Sequence, residues 1–370
     1  VYNQKKEDGT QQSGTDASTE PPSLTPSENL SITPLTASLQ SSPAASDLYA
    51  EWDSRETIEA VKLALEEIHT VTMVEADVEA YAKLVDARPD IVFNIAEGLH
   101  GISREAHIPA MLEFLQIPYS GSDPLTLATC LDKSRCKEVL SYHHIATPKF
   151  AVAARRADID KVHLRYPSIV KPLHEGSSKG IANTSLVNSA VELEREVVRV
   201  LESYHQPALV EEFLPGREFT VAMLGNGSDV QILPIVEIKF DSLPQGVNPI
   251  YSYEAKWIWD TKEAPLDIYE CPADISPNLK TVIEAVCKRA FTVLRCRDWC
   301  RIDLRLDLKG EPHIIELNPL PGILPDPRDN SCFPKAARSA DLSYNRMLQT
   351  VLYHAAMRYG LTGSATPAQT

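Results

Sequence analysis

What this sequence lacks narrows its function first. No run of about 18 apolar residues occurs, the length needed to cross a bilayer, and mean hydropathy is -0.19. No membrane partner is expected. No charged stretch followed by an apolar segment and a cleavage site opens the chain. Cationic excess is missing as well. Lys+Arg number 36 against 51 Asp+Glu, a formal charge of -15. A general nucleic-acid binder needs the reverse balance. A local basic pocket for a phosphate stays compatible with that charge. Paired cysteine spacing is absent too. Cys130/Cys136 and Cys296/Cys300 are the closest sets, without CxxC pairs or an accompanying His cluster. The seven Cys read as buried or incidental thiols in a reducing cytoplasm.

What is present is enough for two or three compact units in 370 residues. A hydrophobic share of 43% supports real cores. Residues 1–46 stand apart: twenty are Ser, Thr or Pro, and Tyr2 is the single aromatic. Such a segment buries too little apolar area to offset its ordering entropy and reads as a disordered tail. Its Leu30–Leu35 stretch alternates, but Pro34 weakens a strand there. From Asp47 the pattern turns globular. Asp53-Ser54 open a helix through Ile68, strands are expected near 71–74 and 90–94, and helices near 78–84 and 104–115. That alternation predicts an α/β unit with a parallel sheet. Beyond Lys133, strands are expected at 168–171, 209–212, 218–224, 230–238, 300–308 and 313–316. Helices are expected at 190–202, 278–294 and 344–359.

Three constellations carry chemistry. The first is Ile169-Val-Lys171-Pro-Leu-His-Glu-Gly176-Ser177-Ser178-Lys179-Gly180. A strand ending in Lys feeds a loop of small residues whose N–H groups could approach phosphate oxygens. A β-turn with a surface lysine would read the same way. The second is Leu209-Val-Glu211-Glu212-Phe213-Leu214, followed by Glu218. A purine could stack on Phe213 and Glu218 could hold ribose hydroxyls. Solvated acids at a strand end are the alternative. In the third, period-2 geometry puts Arg301 and Asp303 on one strand face, and Glu316 and Asn318 on another. If those strands pair, three oxygen ligands converge, a set that suits Mg²⁺ (or Mn²⁺), with Arg301 placed to stabilise an oxyanion. A salt-bridged hairpin is the alternative.

The ordered series Lys133, VKP…EGSS, VEEFL…E, YEAK, RIDL and ELNPLPG resembles the D-alanine–D-alanine ligase family of ATP-grasp enzymes, from about residue 48 to 360. The resemblance implies α/β and α+β architecture: an ATP-grasp fold preceded by an N-terminal Rossmann-like domain. The expected units are residues 47–128, 129–215 and 216–360, with a flexible tail at 361–370. On this reading of residues 1–46 the first unit lacks its opening strand. ATP would lie between the last two units. Lys133 and Lys171 match the phosphate lysines. Glu211, Glu212, Phe213 and Leu214 match the adenine segment, with Ile315 beside it and Glu218 on the ribose. Lys256 matches the γ-phosphate lysine. Asp303, Glu316 and Asn318 match the metal ligands, and Arg301 with Gly322 the oxyanion hole. Ser177 matches the serine of the phosphate loop.

For the second substrate's carboxylate, Ser331-Cys332-Phe-Pro334-Lys-Ala336-Ala337-Arg338 resembles the family's Ser-Leu-x-Pro-x-Ala-Ala-Arg. This places an insertion at 324–330 and makes Ser331 the clamp, with Cys332 beside it; a helix cap is the alternative for Ser331. His100 matches the family's substrate-side His-Gly. Two departures stand out. No Gly-rich loop with the Glu that binds the first amino group is found. The lid position after YEAK holds Trp257, which cannot make a tyrosine's phenolic hydrogen bond to Ser177. The reaction implied is ADP-forming ligation of two amino acids through an acylphosphate, with D-alanyl-D-alanine or a close dipeptide analogue as the leading product, in the cytoplasm, and a homodimer is compatible with it. Alternatives are a carboxylate–amine ligase of secondary metabolism and an ATP-binding protein that has lost catalysis.

Overall fold

Alternation along the strands decides which side chains meet in this protein. The computed structural model describes residues 1–5, 47, 49–261 and 265–361. β1 (Phe150–Ala153), β2 (Ser168–Pro172), β3 (Leu186–Val187) and β4 (Ala208–Glu212) form an antiparallel sheet in the order β1-β4-β2-β3. Helix α6 (Ala190–Tyr204) covers one face. Val170, Ala208 and Val210 pack there against Leu193, Val197 and Val200. Each fully buried aliphatic side chain contributes about 1.5–3 kcal/mol. Period 2 then forces Ile169, Lys171, Leu209 and Glu211 to the other face.

A second sheet contains β5 (Glu218–Leu224), β6 (Gln231–Ile232), β7 (Val236–Ile238), β8 (Tyr269–Glu270), β9 (Trp299–Leu306) and β10 (Pro312–Asn318). Its order is β10-β9-β5-β7-β8, with β6 paired to β5. Phe219, Val221 and Met223 of β5 and Cys300, Ile302, Leu304 and Leu306 of β9 pack on α7 (Pro277–Val293). Glu218, Thr220, Arg301, Asp303 and Arg305 therefore share the opposite face. A register shift between Ile314 and Glu316 in β10 changes parity mid-strand. Ile314 before it and Leu317 after it both join the α7 core, which turns Glu316 and Asn318 toward Asp303 and Arg301. The single expected strand 230–238 is instead two, β6 and β7, split around Pro234, which has no N–H to give the ladder.

The remaining helices are α1 (Arg55–Glu66), α2 (Ala80–Ala87), α3 (His107–Leu115), α4 (Pro124–Leu131), α5 (Lys133–Tyr142), α8 (Cys332–Ser339) and α9 (Tyr344–Arg358). Their starts are chemically marked. Ser54, Asp123, Asp132, Ser189, Ser276 and Ser343 each accept a backbone N–H in the first turn of α1, α4, α5, α6, α7 and α9. Pro124 and Pro277 occupy first-turn positions where no donor is needed. Among the described residues, no helix is long and apolar enough to cross a membrane.

The first five residues overturn the reading of 1–46 as one disordered tail. Tyr2 bridges Glu75 and Gln4 bridges Asp53, both in parallel. The Val1 amino group donates to the Phe93 carbonyl at 2.7 Å, and the Ile95 N–H donates to the Val1 carbonyl at 2.9 Å. Asn3 is buried; its amide donates to the Ala76 carbonyl and accepts the Gly98 N–H. Val1–Lys5 thus runs as extended chain between the segments around 74–76 and 93–95, so that strand position is filled. The strands expected at 71–74 and 90–94 are reduced to isolated bridges, at Glu75 and at Val92 with Tyr119. Leu30–Leu35 lies outside the described residues, as does the tail beyond Leu361.

Candidate functional site

One cleft is lined from three directions: the residue 50–105 region, the free face of the four-stranded sheet, and the free face of the six-stranded sheet. Lys133, Lys171, Ser177, Glu211, Glu212, Phe213, Leu214, Glu218, Lys256, Arg301, Asp303, Ile315, Glu316, Asn318, Gly322, Ser331 and Cys332 all line it. His100 does not. It is exposed on the loop after Glu97, outside the lining set, so its assignment to substrate is corrected.

At the cleft floor Glu211 is clamped between Lys137 and Lys171, each at 2.5 Å. All three side chains are almost fully buried. Burial alone would raise the Glu211 carboxyl; the two ammonium groups outweigh it and hold it below the usual range. Glu211 is therefore a bridge between Lys137 and Lys171 rather than a free acceptor. Lys137, on α5, is a partner that the residue pattern alone did not single out; it also donates to the carbonyl of Ile315 at 3.0 Å. Glu212, the next residue along, pairs with Arg165 at 2.8 Å. Glu218 pairs with Arg305 at 2.9 Å, and the Arg305 guanidinium lies 4.4 Å from the centre of the Phe213 ring. One face of Phe213 is thus covered by the Arg305 guanidinium.

The loop after β2 is held by close approach. Ser177 and Ser178 both have positive φ, and a Cβ on Gly176 would meet the Glu51 carboxylate at 2.8 Å. Glu51 accepts the Gly176 N–H at 2.5 Å and pairs with Arg104 at 2.7 Å. Lys133 donates to the Glu175 carbonyl and stands 3.8 Å from Glu316. Glu51 was missed because no Gly-rich loop announces it. Its signal was its place just before the Asp53-Ser54 helix start.

The segment 251–257 docks on this loop. Tyr253 donates its N–H to the Ile181 carbonyl, and the Ser178 hydroxyl donates to the Tyr251 carbonyl. Trp257 lacks a phenol, yet its indole N–H donates to the Ser177 carbonyl at 3.1 Å. The expected loss of a lid contact is therefore a change of donor and acceptor. Lys256, next to it, is drawn down to about 8, first by burial and then by Arg301.

The reacting end is built on paired strands. Asp303 stands opposite Glu316, and Arg301 opposite Asn318. Arg301 pairs with Asp303 at 2.9 Å, and the Asn318 amide donates to Asp303 at 3.2 Å. Burial raises the Asp303 carboxyl against the opposing pull of Arg301. Burial would raise Glu316 too, but Lys133, Lys171 and Arg301 hold it at about 2. Among the described residues no group of three or more His, Cys, Asp or Glu could hold a metal ion. The set here is two carboxylates and an amide, hard oxygens that fit a Mg²⁺ ion completing its shell with phosphate and water. Ser331 makes no cap bond to α8. Its hydroxyl donates to the Gly322 carbonyl at 3.3 Å and accepts the Leu324 N–H at 3.2 Å, which sets it beside the Gly322 backbone.

Residues 139–353 match the family described as D-ala D-ala ligase C-terminus. The chain is 34% identical to the uncharacterised protein y4sG of Sinorhizobium fredii over 83% of this chain and 90% of that protein. It is also 34% identical to the D-alanine–D-alanine ligase of Bordetella pertussis, over 75% of this chain and 82% of that enzyme. Among solved structures, the VanG D-Ala:D-Ser ligase of Enterococcus faecalis is similar with a TM-score of 0.58 at 26% identity, covering 72% of this chain and 73% of that one. The Bacillus anthracis D-alanine–D-alanine ligase complexed with ATP gives a TM-score of 0.62 at 21% identity, covering 84% and 95%.

Proposed function

The chain belongs to the D-alanine–D-alanine ligase family, and we propose that the cleft between its two sheets is where ATP drives the joining of two amino acids. The protein is an ATP-dependent ligase that forms a peptide bond. The observation that carries the site assignment is the bulge at Ile315. It brings Glu316 and Asn318 onto the same face as Arg301 and Asp303.

In this reading the base lies near Phe213, Leu214 and Ile315, and the ribose hydroxyls on Glu218. Lys133, Lys171 and the residue 175–180 loop hold the phosphates, with Lys256 on the γ-phosphate. Asp303, Glu316 and Asn318 would hold Mg²⁺, whose charge would offset that of the transferring phosphoryl group. The first amino acid's carboxylate attacks the γ-phosphate, ADP leaves, and an acylphosphate forms. The second amino acid's amine then attacks the acyl carbon. Arg301 and the Gly322 N–H face the oxygen that becomes negative, and phosphate leaves. Ser331 positions the second carboxylate. The Trp257–Ser177 contact keeps the lid closed, which excludes water from the acylphosphate.

We assign residues 47–128, with Val1–Lys5, to a Rossmann-like unit. Parallel bridges at Glu75, Asp53 and Val92 support that assignment. Residues 129–215 and 216–360 form the two ATP-grasp halves, in keeping with sheets confined to 150–212 and 218–318. The test is phosphorus NMR of ATP turnover with an amino-acid panel, coupled to mass spectrometry of products. ADP, phosphate and a dipeptide in equal amounts are expected. Release of AMP and pyrophosphate would overturn the reading.

A further inference from the structure

Asn330 closes the 324–330 segment that the sequence pattern marks as an insertion, and its side chain reaches the end of segment 251–260, the lid of the ligase reading. The Asn330 amide donates to the Asp260 carboxylate, at 2.8 Å to each oxygen, and to the Leu266 carbonyl at 2.9 Å. Asp260 is where the two ends of that segment meet. The Tyr251 hydroxyl donates to its carboxylate at 2.9 Å, and the Leu266 N–H at 3.0 Å. Burial first, then the Asp260 charge, push the Tyr251 hydroxyl up, so it stays protonated and remains a donor. Residues 251–260 are thus drawn into a closed loop, and Asn330 ties that loop to the turn before α8.

Both ends of this tie carry groups that the reaction uses. Ala255–Trp259 form a single π-helical turn that bears Lys256 and Trp257. The Asp260 N–H closes the turn on the Ala255 carbonyl at 3.1 Å. A lone π turn is uncommon, and Asp260 braces this one from its end. On the other side of the tie, Ser331 follows Asn330 directly. The Ser331 N–H donates to the Asp329 carbonyl at 2.8 Å, and its hydroxyl lies between the Gly322 carbonyl and the Leu324 N–H. Tyr251, Lys256, Trp257, Asn330 and Ser331 all line the cleft. Asn330 therefore stands between the group that positions the second carboxylate and the segment that covers the acylphosphate.

We infer that Asn330 is a positioning residue: through Asp260 it holds segment 251–260 down, and so decides how the acylphosphate divides between the second amino acid's amine and water. The inference rests on the ligase reading above. Amine attack on the acyl carbon forms the C–N bond, breaks the acyl–oxygen bond and releases phosphate. Water attack on the same carbon also releases phosphate, but returns the first amino acid. Each route consumes one ATP, so ADP formed per dipeptide measures the loss to water. Without the Asn330 amide, Asp260 loses its link to the Ser331 turn. The seal then rests on the contacts of residues 251–257 with the phosphate loop.

The full chain is given ATP, Mg²⁺ and an amino-acid pair that it joins, and ADP and dipeptide are measured together. The wild-type ratio should be about one. Asn330→Ala should raise it about threefold or more, since it removes hydrogen bonds to a charged group. Asn330→Asp sets a second carboxylate against Asp260 and should raise it further. Adding Asp260→Asn restores an amide–carboxylate pair and should bring the ratio back by about half or more. Thermal melts check each fold, with Asn330→Ser as the milder loss. A merely structural role lowers ADP and dipeptide together and leaves the ratio unchanged; that result in the folded single variants overturns the inference. Hydrogen exchange over residues 251–260 separates it from the ligase reading. Exchange there should speed about fivefold or more in Asn330→Ala, with α9 unchanged. Faster exchange in a chain that forms no dipeptide with any pair leaves the tie standing and removes the ligase assignment. Unchanged exchange in a chain that does ligate does the reverse.

Discussion

The two ends of the cleft handle charge in opposite ways. Where the two sheets face the cleft, buried charges pair within the chain: Glu211 with Lys137 and Lys171, Glu218 with Arg305, Asp303 with Arg301. At the other end Asp53, Glu97 and Glu105 line the wall, with Arg104 acting on Glu97 and Glu105. The first arrangement holds its groups in place before ATP arrives, so little ordering remains to be done on binding. The second is a cluster of carboxyls whose protonation burial favours.

The comparison can be broken hardest at Asp303, which joins the two ends. Asp303→Ala should cut ADP formation by about a thousandfold or more while the fold survives. Steady-state turnover and a thermal melt check both halves of that statement; near-normal turnover would remove the metal assignment. Next comes the self-paired floor. Glu211→Gln strands two buried lysines and should cost about 3–5 kcal/mol of stability, read by urea unfolding. A change below about 1 kcal/mol would mean that the clamp is loosely held. Ser331→Ala removes a hydroxyl beside the Gly322 backbone. A charge-assisted bond of about 1.5–3 kcal/mol predicts a rise in KM for the second amino acid of roughly ten- to a hundredfold. The KM for ATP should stay within about twofold in the same kinetic series.

Residues 1–5 supply a smaller test. Asn3→Ala leaves the Ala76 carbonyl and the Gly98 N–H without their side-chain partner and should destabilise by about 1–3 kcal/mol. Unchanged melting would return these residues to the tail. The smallest effect concerns Lys256, lowered to about 8 by burial and Arg301. A lowered pKa means that the ammonium is charged below about 8 and neutral above it. Phosphate favours the charged form, so affinity for an ATP analogue should fall a few-fold from pH 7 to pH 9.5. Lys256→Arg should flatten that slope, since guanidinium keeps its proton throughout.

Strand parity made most of the nucleotide end legible. Arg301 and Asp303 alternate with Ile302 and Leu304, and a period of two puts them on one face. The bulge at Ile315 was not legible, because an inserted residue leaves no mark in composition. It is nevertheless what aligns Glu316 with Asp303. Lys137 and Arg305 escaped for a different reason. Their partners, Glu211 and Glu218, lie 74 and 87 positions away along the chain, and only folding joins them. Val1–Lys5 was misread because the Ser/Thr/Pro bias of the following residues masked five that pair with Glu75, Asp53, Phe93 and Ile95. The limits of α1, α6, α7 and α9 were recovered closely, since Ser at each start acts through local bonds, whereas α4 and α5, capped by Asp123 and Asp132, were not expected.

Trapping the acyl intermediate tests the account most directly. The protein is given ATP, Mg²⁺, one amino acid and hydroxylamine in place of the second amino acid. An acylphosphate formed in this cleft predicts ADP, phosphate and the amino-acid hydroxamate in equal amounts, all lost together in Asp303→Ala. Hydroxamate accompanied by AMP and pyrophosphate, or ADP released with no hydroxamate, would contradict it.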